Sequence, residues 1–514
     1  MGIQVDKQPE AAGQDRGMRD LLYYFPSKAF PALFGAVQVM LLTRGLGPDG
    51  YGRVAIGIAA AGVLVSLSSD WLRQSILRFF PLYQASGKLA EFRQKTWTLL
   101  LLALSFVLVG FLALGAIFPG AVSTTREDII LVLIVSSAMV LFHYQATLLQ
   151  SGRQSRQYAV ATFIQSLTQL VLIAVLVLVM EGGAAMALLS IAAGYGAGLT
   201  FMMLTRATSS ERSAYLSFRL DRGMAKQMAS YGLPMAIWFL SAQLSFLIPR
   251  YVIGRYRTFD EVGLFSSSYD LINGSMSLLM TPFLLASVPI IMYLWETGHR
   301  VKAIQDLIAS NIRYISLVFA PLIVLAILSG QYAIGVFLGE DFTVTPWIVP
   351  MLVIGSLLGG FSMYAHKGLE VGKRTHIMLM ASILALGVNA AVNLMLVPFM
   401  GYPAAALAIV ISSAFYMVAT GWLGRHFLTN RIPWRSLWHI AVAAACGALL
   451  SFLTRWCLGI SGVDSVGIHI VGSIVAVLVY GLLLLFQREL NEEFGLLRST
   501  VQHYIAKVHQ AHGL

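Results

Sequence analysis

Residues Arg44–Tyr83 read RGLGPDGYGRVAIGIAAAGVLVSLSSDWLRQSILRFFPLY. Turn formers (Gly45, Gly47, Pro48, Gly50, Gly52) open the stretch, and an apolar run from 54 to 69 follows. At 3.6 residues per turn, Gly62, Ser66, Asp70 and Arg73 fall on one helix face. Hydrocarbon offers no hydrogen bonds, so a polar stripe on a membrane helix must face protein or water. A stripe of the same spacing recurs far along the chain as Ser266, Asp270, Asn273, Ser277 and Thr281. Two such helices predict a polar cavity between two halves of the molecule.

Working outward, composition places the whole chain in a membrane. Of its 514 residues 57% are hydrophobic and 11% charged, where a soluble domain carries about 25% charged residues. The net charge of +11 is spread over short loops between apolar runs. That pattern fits a membrane protein and argues against a nucleic-acid partner. Residues 1–20 are polar, with no secretory signal pattern. Cys446 and Cys457 fall on one predicted helix, roughly 16 Å apart, too far for a disulfide.

The expected fold is all-α and integral to the membrane, with about 14 transmembrane helices. A cytoplasmic tail (1–20) precedes six spans (21–204), an amphipathic linker (205–230) and six more spans (231–424). Two C-terminal spans (437–486) and an amphipathic tail (487–514) complete the chain. The thinnest boundary between spans is Met400–Gly401–Tyr402. Val301, Ile304, Leu307, Ile308 and Ile312 keep helical spacing before the ninth span and are expected to lie in the membrane interface. With the N-terminus inside, inner segments hold 28 Lys and Arg and outer turns hold 7. Both termini are therefore expected in the cytoplasm.

A weak internal repeat supports two lobes. GPDGYGRVAIG aligns with FDEVGLFSSS, placing Gly52 on Gly263. The same offset of 211 carries Gly62, Ser66 and Asp70 onto Asn273, Ser277 and Thr281, so both stripes use one face. Six helices per repeat is an even number, which implies a pseudo-twofold axis along the membrane normal.

The candidate substrate-binding residues are Lys28, Gln38, Ser66, Asp70, Arg73, Asn273 and Arg250, with Asp270 as the coupling or gating residue. Asp270 lies about 13 Å into its span. An acid at that depth must be paired, protonated or wet. It either binds a cation or bridges to a base of the first lobe such as Lys28. Lys28 and Arg73 either hold an anion or snorkel to headgroups. Arg250 is an outer gate or an interfacial arginine. Asn389 and Asn393, Gln165 and Gln169 are expected to hydrogen-bond between helices, and His143 to pack. The chain has no phosphate-binding G-x-x-x-x-G-K-[ST] loop and no H-E-x-x-H or Cys/His cluster. No cofactor is expected, and proton or sodium coupling stays open.

Several stretches resemble the polysaccharide transporter family of the multidrug/oligosaccharidyl-lipid/polysaccharide exporter superfamily. They are RGLGPDGYG (44–52), YGLP (231–234), VGLFSSSY (262–269) and NAAVNLMLVPFMGYPAAA (389–406). The last is similar to the family's N-x-x-x-N…P-x-x-G…GAA pattern, with Pro403 in place of a glycine. Pro249 stands beside Arg250 where many members have an acid. The resemblance implies a flippase related to the O-antigen and lipid II flippases. Such a protein moves polyprenyl-diphosphate-linked oligosaccharide across the bacterial inner membrane for O-antigen, capsule or exopolysaccharide synthesis. Membrane lipids, a polymerase and glycosyltransferases are its implied partners, and the last two helices its implied tail groove. A cation-coupled multidrug antiporter of the same superfamily is the first rival, expected to have twelve helices. A membrane glycosyltransferase or polymerase is the second. It calls for a large external loop, whereas the outer turns here are about a dozen residues long, so no enzyme is expected.

Overall fold

The computed structural model describes residues 8–117, 126–205, 218–298, 300–460, 465–487 and 489. Side chains are described for these except 8–29, 116, 117, 126 and 465. The described residues form fifteen α-helices and two short π segments, joined by turns and short irregular stretches.

α1 (Gln8–Val65) runs without a conventional turn through the Gly/Pro cluster. Only Gly47 leaves helical geometry, at φ 64° and ψ −177°, a conformation in which a side chain would be strained. The expected open turn at 45–52 is therefore a single-residue break. The apolar stretch Phe30–Ala85 has 56 residues, roughly 84 Å of helix against a hydrocarbon core of about 30 Å. The break at Gly47 resolves it into two passes. Twelve further helices are long and apolar enough to cross, which gives the fourteen spans the sequence leads one to expect.

The second pass continues through a π segment (Ser66–Asp70) into α2 (Trp71–Ala85). Ser68 Oγ donates to Leu64 O at 2.6 Å and Ser69 Oγ to Val65 O at 2.9 Å. Serines that bond back to the preceding turn bend helices. Then come α3 (Leu89–Ile117), α4 (Arg126–Ser151), α5 (Ser155–Ile173) with its π extension (Ala174–Val179), and α6 (Gly183–Thr205). α7 (Arg222–Tyr256) is capped by Asp221, which accepts from the Met224 amide. α8 (Phe259–Glu296) and α9 (Val301–Leu338) follow, then α10 (Ile348–Ala365) and the short α11 (Lys367–Val371). α12 (Thr375–Met400) and α13 (Pro403–Gly424) are parted by Gly401 at φ 72°. The Tyr402 amide at that break donates to Glu261 Oε2 at 2.9 Å. α14 (Trp434–Ile460) and α15 (Ser465–Phe486) end the described fold.

Packing divides the chain into two compact units. The first comprises Met1–Leu279, Ile334–Val344 and Arg374–Ala419. Lipid tails are as apolar as leucine, so shape rather than hydrophobicity holds such helices together. Its core locks aromatic against aromatic: Phe80 edge-on to Phe92, and Trp97 against Tyr144, whose hydroxyl lies 2.8 Å from Thr96 Oγ1. Asn389 Nδ2 donates to Ser412 Oγ at 3.3 Å and Asn393 Nδ2 to Asn389 O at 2.8 Å, so of these two bonds only the first crosses between helices.

The second unit comprises Met280–Ala333, Thr345–Lys373 and Thr420–Leu514. Here α14 and α15 pair around Ile440, Ala443, Tyr480 and Leu484, and the Tyr480 hydroxyl donates to Leu317 O at 2.9 Å. Arg455 donates to Leu328 O, Ser329 Oγ and Ser451 Oγ, and lies 2.7 Å from His469 Nδ1. Residues 301–312 correct an expectation. They are the start of α9, with Ile304, Ile308 and Ile312 buried. Their apolar face meets protein rather than headgroups. The tail 487–514 lies outside the described residues apart from Gln487 and Glu489.

Candidate functional site

The strongest polar cluster lies where the last turns of α7 meet the first turns of α8, within the first unit. Arg250 is buried, the consequence of seating a guanidinium between two helices. Its Nη2 donates to Asp270 Oδ1 at 2.5 Å and its Nε to Ser266 Oγ at 3.0 Å. Ser266 and Asp270 are one turn apart on α8, so a single arginine reaches both. The other carboxylate oxygen, Oδ2, accepts the hydroxyl of Tyr51 at 3.0 Å. Tyr51 belongs to the Gly/Pro stretch on α1. The base of Asp270 is therefore Arg250, twenty residues upstream, and its first-lobe partner is a phenol. One third of the Asp270 side chain stays exposed, against 6% of Arg250. The acid thus joins three helices and keeps one side open.

A second cluster sits at the C-terminal end of the first stripe. Arg73 Nη1 donates to Asp70 Oδ1 at 2.7 Å and Nε to Thr147 Oγ1 on α4 at 3.1 Å. Asp70 is buried, whereas 28% of the Arg73 side chain is exposed. Between the clusters, Gly62 packs under the Gln243 amide, and Ser66 is buried with no hydrogen-bond partner for its hydroxyl. The stripe faces protein, as the cost of polar groups in lipid requires.

The remaining candidates fall elsewhere. Gln38 Nε2 donates to Ser166 O at 3.2 Å and lies 3.5 Å from Gln169 Oε1, and Gln169 donates to Ile191 O. These amides tie α1 to α5 and α5 to α6, a packing role. Asn273 is half-buried on α8. The side chain of Lys28 lies outside the described residues. His143 stacks edge-on against Tyr195 and Phe142. Tyr51 and Thr147 were not singled out by sequence, because neither hydropathy nor spacing distinguishes a tyrosine in a turn or a threonine in an apolar run. Among the described residues no three His, Cys, Asp or Glu converge to hold a metal.

Fourteen passes with buried charge clusters define a multi-pass membrane protein. Lipid II flippase MurJ in an inward closed conformation superposes with TM-score 0.68 at 14% identity, covering 91% of this chain and 99% of that one. An inward-facing multidrug resistance MATE family transporter gives TM-score 0.56 at 14% identity, covering 79% and 94%. Residues 18–295 match the family model for polysaccharide biosynthesis protein, and the chain belongs to that family. No curated protein matches it in sequence.

Proposed function

We propose that the protein is a flippase for polyprenyl-diphosphate-linked oligosaccharide in the bacterial inner membrane. In this reading both termini are cytoplasmic and the lobes 21–204 and 231–424 alternate in access. The carrying observation is the extent of the two likenesses. The multidrug transporter is 94% covered yet leaves a fifth of this chain unmatched, whereas the lipid II flippase covers 91% of it. Two helices beyond twelve, α14 and α15, fit that difference, and the family is one of polysaccharide biosynthesis.

The physical task is to move sugar hydroxyls and a diphosphate past hydrocarbon while the tail keeps apolar surroundings. Bases such as Arg73 and Lys28 replace the hydration of the phosphates. With the inside negative, each negative charge moved outward gains roughly 2.3 kcal/mol per 100 mV. Asp270, with one side open, is the gate, and proton or sodium coupling would act through its bonds to Arg250 and Tyr51. Glycosyltransferases supply the substrate and a polymerase consumes it.

Purified protein in vesicles containing fluorescent polyprenyl-diphosphate oligosaccharide tests this. Quenching by an impermeant reductant should rise from the leaflet-limited half to near completion within minutes. Vesicles that stay half-quenched yet expel cationic dyes under a proton gradient would replace this reading with the antiporter.

A further inference from the structure

The first unit carries a continuous apolar groove that the charged clusters do not use. Its wider part, about 600 Å³, is lined by Leu67 and Trp71, by Ala103, Phe106 and Gly110 of α3, and by Leu233 of α7. A narrower part of about 190 Å³ shares Ala60, Phe111 and Leu247 with it and extends to Arg53. Phe106 is 80% exposed, so the groove opens toward lipid.

Its two ends differ in charge. At the outer mouth Arg53 is paired with Asp49 at 2.9 Å, and Asp128 lines the same pocket. Arg53, the one base among the lining residues, is already neutralised there, which disfavours a phosphate. At the inner mouth the lining residues Ala229 and Leu233 continue one face of α7 (i, i+4, i+7, i+11) that begins with Arg222 and Lys226. Both bases are exposed, with no acid partner among the described residues. An anionic head is therefore favoured at the inner end, with an apolar chain running outward from it.

Length selects the chain. From Arg53 to Trp71 the groove follows roughly 27 Å of helix, nearly the whole hydrocarbon core of about 30 Å. A phospholipid acyl chain occupies one leaflet, about half of that. A chain that fills the groove must be longer than a leaflet, as a long isoprenoid is.

We infer that this groove, formed by the second pass with α3 and α7, holds the isoprenoid tail of the substrate, with the diphosphate met first at Arg222 and Lys226 before it passes to Arg73 and Lys28. The inference rests on the flippase reading and places the tail in the first unit rather than on α14 and α15.

The test uses full-length protein in vesicles and two photolabels, a long-chain polyprenyl diphosphate and a phosphatidylglycerol, each with a diazirine at the chain end. The polyprenyl label should attach to segments 53–60 and 107–114, which line the far end of the groove, and unlabelled polyprenyl diphosphate but not phosphatidylglycerol should compete. Gly110→Phe should cut labelling at least fivefold. A Cβ at Gly110 meets nothing within 4 Å, so the ring fills the groove without disturbing the fold. Arg222→Gln with Lys226→Gln should weaken labelling similarly. Labelling confined to 434–486, or equal labelling and competition by phosphatidylglycerol, would overturn the inference. The flipping assay on the same vesicles separates the two readings. Wild-type protein that labels as expected but does not flip removes the flippase and keeps the groove. Flipping with labelling and rate unchanged in Gly110→Phe removes the groove and keeps the flippase.

Discussion

Gly52 and Gly263 meet in a reciprocal contact between the part of α1 just past its break at Gly47 and the first turns of α8. A Cβ on Gly52 would lie 2.3 Å from Phe259 O and 3.0 Å from Gly263 N, and one on Gly263 would lie 1.9 Å from Pro48 O. Each glycine thus sits on the backbone of the residue four before the other. The same offset of 211 relates Pro48 to Phe259 and Gly52 to Gly263, so the repeat registered in the sequence meets itself here as a twofold contact does.

Such an approach is open only to residues without side chains. Gly52→Ala and Gly263→Ala should each lower stability by about 1–3 kcal/mol, the cost of overpacking. Gly110→Ala, which adds its methyl to open space, should melt like wild type. Thermal unfolding in detergent compares the three, and a wild-type melt for Gly263→Ala would refute the contact.

Asp270 neutralises a buried guanidinium. Asp270→Asn strands Arg250 and should cost about 3–5 kcal/mol, and the further change Arg250→Met should recover most of it. If the acid also couples transport to a cation, the stable double variant should still lose any response to imposed pH or sodium gradients. Unchanged stability and transport in Asp270→Asn would exclude both roles.

Arg73 is the exposed member of its pair, as a phosphate ligand must be. Arg73→Ala and Lys28→Ala should each reduce flipping as though about 1.5–3 kcal/mol of binding were lost, the range for hydrogen bonds to charged groups, with protein levels in the membrane unchanged. Normal flipping in the double variant would leave both residues as membrane-surface bases.

Asp221 ties the start of α7 to α3. Its Oδ2 accepts from Lys95 Nζ at 2.6 Å and its Oδ1 from the Met224 amide at 3.1 Å. The Lys95 bond, followed by the amide bond, holds its carboxyl below the ordinary value. The stabilisation is full above the unfolded carboxylate value, near pH 4, and is lost as pH falls through the lower folded value. Asp221→Asn keeps a capping group. It should melt below wild type at pH 7, and the gap should close below about pH 4. A gap independent of pH would assign the effect to shape rather than charge.

The bias of 28 bases to 7 is the basis of the proposed orientation. Reporter fusions after Lys95, Arg222 and Leu514 should report cytoplasm, and one after Thr125 periplasm. A periplasmic C-terminus would be incompatible with fourteen passes.

Sequence alone determined the spans, their number and the polar faces of the second pass and of α8, because hydropathy and a 3.6-residue period are local properties of the chain. It also registered Gly52 on Gly263. It marked both Arg250 and Asp270 but gave Asp270 no hint of its base, because pairing depends on how α7 and α8 cross rather than on either period. The partners Tyr51 and Thr147 lie on other helices and carry no local signal. Likewise Ile304, Ile308 and Ile312 read as an interfacial face, since an apolar stripe looks the same whether lipid or protein covers it. Only the tertiary structure decided what each face meets, because helix contacts in lipid depend on the close fit of backbones and side chains far apart in the chain.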